Sequence, residues 1–467
     1  MGTGPCSRGR HLSKRFTASR VADSGIQALF GTEERWQAWL TVESALALTQ
    51  ADLGMIPRKA ADAITAACRI ERLDLGRIEE GIARTSHPLM PLILELNRVV
   101  GEPHGGWVHW GATTQNITQT GDVLVLRKVQ RVVLGLLASI MTALAGLAER
   151  SAEMVMAGRT HGQHAVPITF GLKVAGWIDE MGRHITRLRE LEPRLFVAIV
   201  GGAAGTFASL GDRAPEVQGG IAKKLGLAPM PVPSRSMVDH FSELSCVFGL
   251  LGATCGKIAR EVYNLMKTEC GEVEEPVPPG TVGSSTMPQK RNPQLCQDTL
   301  SIAAEIRALV PLALEAVQSE HEADHCPGIA FDAVSRGSVL MGEALERILL
   351  IVDGLRLNPK RMRSNLDLSG SMISAEAVML ELGKTIGRQH AHDVVYEAAQ
   401  AAASQNISFP DRLAADYRVT VHLRRSAIDA LLDPASHIGL STRIALEQVE
   451  VARRFASEID AHLSGRG

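Results

Sequence analysis

Aromatic side chains are scarce in this chain, at 4% of residues with only three tyrosines. Strands lean on aromatic and β-branched residues, so this shortage, beside abundant alanine and leucine, favours helix. Excess charge of either sign is also missing. A formal net charge of −2 over 467 residues gives no electrostatic case for nucleic acid or a membrane surface as partner. Cys-X-X-Cys pairs are absent as well. Cys6, Cys68, Cys246, Cys255, Cys270, Cys296 and Cys326 are scattered, which reads as reduced thiols in a cytoplasmic protein with no structural metal. The first twenty residues carry Arg8, Arg10, Lys14, Arg15 and Arg20 but no acid and no apolar stretch. That is not the pattern of a secretory peptide, and the expected reading is a disordered basic tail, with a transit segment as the alternative. Cys6 stands where a myristoylation signal needs Ser or Thr.

Proline is missing from Asp122 to Met156, where Val123, Leu126, Val129, Val133, Leu137, Ile140 and Leu144 recur at helical intervals. The uncharged run Val132–Ala148 is 17 residues long, short of the roughly 20 of a membrane span, and charges close both ends. A helix buried in a bundle is the reading it supports. Helical patterns also cover 32–53, with Thr32 as cap, and a pair over 75–99 broken at His87-Pro88. Long ones follow over 167–195, 239–272, 293–320 and 333–354. With almost no strand signal, the expected fold is all-α. Beyond Pro359 the patterns shorten and turn signals return. The expected units are 1–111, a central long-helix bundle over 112–357, and 358–467.

Four stretches carry chemistry. Gly280–Pro293, G-T-V-G-S-S-T-M-P-Q-K-R-N-P, follows two prolines and places Ser284 and Ser285 near Lys290 and Asn292. Composition alone makes it a polar surface loop. Hydroxyl, ammonium and amide together also suit a substrate on which negative charge develops beside a carboxylate. Trp107–Asn116, W-V-H-W-G-A-T-T-Q-N, precedes the long helix. Its Thr113, Thr114 and Gln115 are either an ordinary N-cap or a donor-rich helix start that holds a carboxylate. Gly158–Ala165, G-R-T-H-G-Q-H-A, sets His161 and His164 beside Thr160 and Gln163. Gly201–Gly211, G-G-A-A-G-T-F-A-S-L-G, lacks G-x-G-x-x-G spacing and a preceding strand, so a dinucleotide site is a poor reading.

The order G-S-S-x-M-P-x-K-x-N-P in the first stretch resembles the signature loop of the fumarase/aspartase superfamily. The other three are similar to recurring segments of its adenylosuccinate lyase and 3-carboxy-cis,cis-muconate cycloisomerase branch. The resemblance spans nearly the whole chain. It implies a three-part helical fold, a homotetramer with a twenty-helix core, active sites shared between chains, and no cofactor. On the matching positions it implies Ser284 as the base, Lys290 and Asn292 as carbanion stabilisers, and His161 on the acid side, supported by His87 or Glu272. It implies substrate contacts from His109, Thr113, Thr114 and Gln115, from Thr160 and Gln163, and from Arg235, Ser285 and Met287. The implied reaction is elimination of fumarate from a small substituted succinate. The alternatives are cycloisomerase-type addition and elimination, or a non-catalytic homologue using the scaffold for association.

Some positions depart from the pattern. Asn116 and Gln119 replace acids, while Met237 and Ala323 stand where relatives carry arginine. Losing two guanidinium groups weakens the case for a nucleotide phosphate. The Trp-His and tryptophan-rich segments usual in the cycloisomerases are missing too.

Overall fold

The computed structural model describes residues 15–278 and 286–465. Its centre is a bundle of long helices: α4 (Thr114–Arg150), α5 (Phe170–Glu190), α6 (Asp239–Leu265), α7 (Gln294–Glu315) and α8 (Cys326–Gly354). They follow α1 (Thr32–Asp52), α2 (Leu75–Thr85) and α3 (Met90–Val100). A last long helix, α9 (Ser441–Ser464), lies against α4 and α5. The fold is all-α, as composition and periodicity require.

The apolar stripe of α4 explains its length. Val133, Leu137, Ile140, Met141 and Leu144 are fully buried, as are Val262 and Ile258 of α6 and Ile348 of α8. Both α4 and α6 are long and apolar enough to cross a membrane, yet most of each apolar window is buried inside the bundle. Val449, Ala452 and Ile459 of α9 complete the same core. A second core gathers Trp36, Trp39 and Leu46 of α1 with Leu92 and Leu96 of α3, and a third gathers Val378, Leu382 and Leu413. The first is fastened to the bundle by Arg35, which donates both arms of its fork to buried Asp122 at 2.8 and 2.9 Å. At the same crossing Gly121 lets Trp39 approach; a Cβ there would sit 2.4 Å from the indole.

The bundle has two distinguishable ends. Gln115 and Gln119, at the start of α4, bond to the carbonyls of Arg235 and Met237, just before α6. The Ser242 hydroxyl of α6 donates to Ala313, near the end of α7. At the opposite end Arg150 donates to Leu355, just past α8, and the Asn358 amide donates to Glu272, just past α6. Helices α4, α6 and α8 therefore run parallel, with α7 reversed. At 1.5 Å per residue the 37 residues of α4 separate the two ends by about 55 Å.

Several expectations need correction. Helix α4 stops at Arg150, short of the expected Met156, and the chain then forms a hairpin, β1 (Val155–Thr160) with β2 (Gln163–Thr169), where no strand was expected. Thr32 is the first helical residue of α1, and its cap is Gly31. Residues 15–20, assigned to a disordered tail, are seated on the bundle with Thr17 fully buried. A two-residue strand, β3 (Val197–Ala198), does precede the Gly201–Gly211 stretch, paired in parallel with β4 (Ala228–Pro229). The helix Ala214–Leu225 joins the two strands, so the stretch does sit in a βαβ crossover, but its strands are two residues long and its glycines lack the G-x-G-x-x-G spacing of a dinucleotide site.

Candidate active site

At the first end, the start of α4 gathers His87, Thr113, Thr114, Gln115 and Arg235. The His87-Pro88 break between α2 and α3 turns the imidazole inward. Its Nδ1 accepts from the amides of Leu89 and Met90, at 3.3 and 2.9 Å. A neutral ring so held carries its proton on Nε2, which lies 3.4 Å from Thr114 Oγ1. Gln115 and Arg235 lock each other: the Gln115 amide donates to the Arg235 carbonyl at 2.6 Å, and Arg235 Nε donates back to Gln115 Oε1 at 2.9 Å. Arg235 also donates to the carbonyl of Ala203, within the glycine-rich stretch.

Asn116 and Gln119, where acids were expected, are buried parts of this frame. Asn116 Oδ1 accepts from the amides of Thr113 and Gly202, at 3.2 and 3.1 Å. The N-cap reading of Thr113–Asn116 is met by this geometry, with the Asn116 side chain closing a capping box onto the Thr113 amide. His109 stands close by in chain order, with a left-handed φ of 62°, and its Nδ1 meets buried Glu43 at 2.6 Å. Burial alone would depress this imidazole. The charge and hydrogen bond of Glu43 outweigh burial and hold it above its ordinary value.

The other end has a different chemistry. His161 and Gly162 form a two-residue hairpin turn with φ of 53° and 76°, the doubly left-handed form matched to strand twist. A β-imidazole in the left-handed region is unusual, and such strain gathers at functional positions. The tip presents His161, Thr160 and Gln163 to solvent. Two residues from the tip, Arg159 grips the fully buried carboxylate of Glu272 bidentately, at 2.6 and 2.9 Å. Asn365 donates to the same carboxylate at 2.7 Å. Glu272 was expected to support His161; with these three bonds it holds the stem of the hairpin instead. His164, opposite Arg159 in the ladder, is pushed below its ordinary value by burial and then by the guanidinium.

Met287 and Lys290 are exposed, and the Lys290 amide closes a turn onto the Met287 carbonyl. Asn292 is half-buried at the entry to α7. Ser284 and Ser285 lie outside the described residues.

Within one chain, the site residues thus fall into two groups at opposite ends of the bundle. A cavity of about 880 Å³ between α1, α4 and α9 contains none of them. It is lined by Arg127, Lys128, Arg131 and Lys224, but each is already engaged: Arg127 and Arg131 on helix-terminal carbonyls, Lys128 on Glu34, Lys224 on Asp52. Lys223 lines it as well.

Comparison with known proteins decides the family. A family profile described as "Lyase" matches residues 17–308, and one described as "Adenylosuccinate lyase C-terminus" matches residues 371–447. The chain belongs to the fumarase/aspartase superfamily. Among its relatives is an N-acetyl-S-(2-succino)cysteine lyase of Dickeya dadantii, 37% identical over 428 residues, covering 91% of this chain and 94% of the relative. A 3-carboxy-cis,cis-muconate cycloisomerase of Pseudomonas aeruginosa is 38% identical over 421 residues, covering 89% and 91%. The crystal structure of a fumarate lyase from a Mesorhizobium species superposes with a TM-score of 0.86 at 34% identity, covering 92% of this chain and 98% of that one.

For this lyase the sequence left Glu43, Arg159 and Asn365 unnamed. Arg159 sat inside the R-T-H segment, and its bulky cation beside a candidate histidine was a signal that could have been followed. Glu43 and Asn365 lie far from any motif, and only the fold brings them to His109 and Glu272.

Proposed function

We propose that this lyase releases fumarate from a small substituted succinate, with each active site assembled from the two ends of different chains in a homotetramer. One observation carries the reading: the donor-rich start of α4 and the His161 hairpin lie at opposite ends of a helix of 37 residues. The first end offers donors for a substrate carboxylate, and the far end carries His161, Lys290 and Asn292. Neighbouring bundles packed antiparallel would bring His87, Thr114 and Gln115 of one chain to His161 and Lys290 of another. Exposed Leu250, Leu312, Leu314 and Val317 on α6, α7 and the turn after α7 give such packing an apolar surface.

In this reading the neutral donors of α4 and His87 hold a substrate carboxylate at a helix N-terminus. Ser284 takes the proton from the carbon beside the other carboxylate. The electron pair passes into that carboxylate, where Lys290 and Asn292 offset the charge. The bond to the leaving group then breaks, and His161 supplies the proton that the departing atom takes. No cofactor is required by this sequence of steps.

The leaving group we favour is small and carries no phosphate. Met237 is half-exposed where an arginine would reach for one, its carbonyl tied to Gln119. The relative that acts on an S-succinylated cysteine supports a thioether substrate, and the cycloisomerase relative supports addition and elimination on a carboxylated muconate as the second reading. Ultraviolet detection of fumarate from S-(2-succino)cysteine, its N-acetyl form, adenylosuccinate, argininosuccinate and aspartate separates them, with Lys290→Ala alongside. Fumarate from a thioether or amine, lost in the variant, supports the proposal. Turnover of carboxymuconolactone alone overturns it in favour of the cycloisomerase.

A further inference from the structure

Helix α7 begins in an awkward place. Its N-cap is Pro293, whose side chain accepts nothing, so the first amides of the helix need an acceptor from elsewhere. Glu275 provides it from 20 residues upstream. One carboxylate oxygen accepts from Leu295 and the other from Cys296, both at 3.0 Å, and the residue is 1% exposed. Glu275 itself is pinned, because β5 (Val273–Glu274) pairs with β6 (Arg356–Leu357). Pro276 beyond it packs so closely on Gly354 that a Cβ there would lie 2.7 Å away. Lys290 and Asn292 leave this clamp within five residues.

The second partner of the clamp is the segment from Arg15 to Arg20. The Thr17 amide and hydroxyl both donate to Asp298 of α7, at 2.9 and 2.7 Å, and Arg347 of α8 donates to the same hydroxyl at 2.9 Å. Thr17, Asp298 and Arg347 are all buried. This seats Arg20 over the first turn of α7. There it donates to Gln294 Oε1 at 3.2 Å. Burial pushes the Glu275 carboxyl above its ordinary value, opposed by the Leu295 and Cys296 amides and, more weakly, by the Arg20 charge. A buried carboxylate with two amide donors and a cation is costly to arrange and rigid once arranged.

We propose that Glu275 and Arg20 are positioning residues for the elimination: together they latch the first turn of α7 to the N-terminal segment and so set where Lys290 and Asn292 stand. The proposal rests on the reading that those two residues stabilise the carbanion. Misplacement of such groups by about 1 Å can cost on the order of 100-fold in rate.

The test uses the full chain with Glu275→Gln, Arg20→Met, Arg20→Lys and, as a control on the same segment, Arg15→Gln. Amide exchange at Leu295 and Cys296 should quicken in Glu275→Gln and Arg20→Met and stay unchanged in Arg15→Gln. Under substrate saturation, kcat should fall by about 10-fold or more in those two at little-changed KM, with most of it recovered by Arg20→Lys. Unchanged exchange overturns the latch. Faster exchange with full kcat, or a kcat loss that only follows the fraction of folded protein, overturns the positioning role. A wild-type chain that turns over no substrate would be a failure of the proposed reaction, and the exchange measurement would still decide the latch.

Discussion

The two ends of α4 solve the problem of polar groups near a bundle core in opposite ways. At its start, neutral amides do the work. Gln115, Asn116 and Gln119 are buried, and each bonds to backbone that is itself fixed. At its far end stand full charges, with Arg159 and Glu272 forked together and Glu275 closed over α7. Neutral groups can bind a carboxylate and release it without leaving a naked charge behind. Charged pairs make a rigid frame, but losing one partner strands the other in a low dielectric. The first end is therefore suited to recognition, and the second to holding groups still while charge develops.

The largest effect should come from separating the two ends genetically. Lys290→Ala and His87→Gln, each made alone, should lower kcat/KM by about 100-fold or more, since the first removes the cation that offsets the developing charge and the second a donor that positions the substrate carboxylate. Mixed and reassembled, the two inactive proteins should regain activity, because some sites would join an intact start of α4 to an intact Lys290. Mixtures no better than their parents would count against sites shared between chains.

Next in size is the frame itself. Glu272→Ala leaves the half-buried Arg159 without its carboxylate and should cost about 3 kcal/mol in urea unfolding. If instead it costs less than about 1 kcal/mol, the pair is solvated in solution and the contrast between the ends is wrong.

How much of this was legible in the sequence follows from the range of each interaction. Helical periodicity depends on neighbours three and four residues apart, so the bundle, the His87-Pro88 break and the buried 17-residue run could all be read directly. The His161 hairpin escaped because its turn residues, His-Gly between two short strands, are a weaker signal than the helices on either side. Arg15–Arg20 looked like tail because its charges dominate its composition; what seats it is Thr17, a single hydroxyl 281 residues from Asp298. The motifs named the chemistry at both ends of the bundle. Nothing local in them says that the ends lie so far apart.

A smaller effect tests the neutral end. Asn116→Ala removes the acceptor of two amides, Thr113 and Gly202, and should cost about 2 kcal/mol. Asn116→Asp keeps that acceptor, and the Asn116 amide nitrogen it replaces has no partner among the described residues. Its cost should stay within about 1 kcal/mol. A large loss in Asn116→Asp would mean that this end tolerates no charge, sharpening the contrast with the Glu272 end.

The smallest effect is one of pH, at the buried Glu43 beside the first end. Glu43 is 1% exposed and its one bond is to His109, which it holds above the ordinary histidine value against the effect of burial. A group raised in the folded state stabilises fully below its unfolded value, about pH 6.5, and that stability fades as pH climbs through the raised folded value. Glu43→Gln removes the cause, so wild type should exceed the variant by about 2 kcal/mol near pH 6. The gap should close by pH 9, where His109 is neutral and Glu43 is a buried carboxylate without a cation. Urea midpoints at the two pH values decide it. A gap that is flat or widens with pH would show that the pair is neutral throughout, and the start of α4 would then be uncharged right to its core.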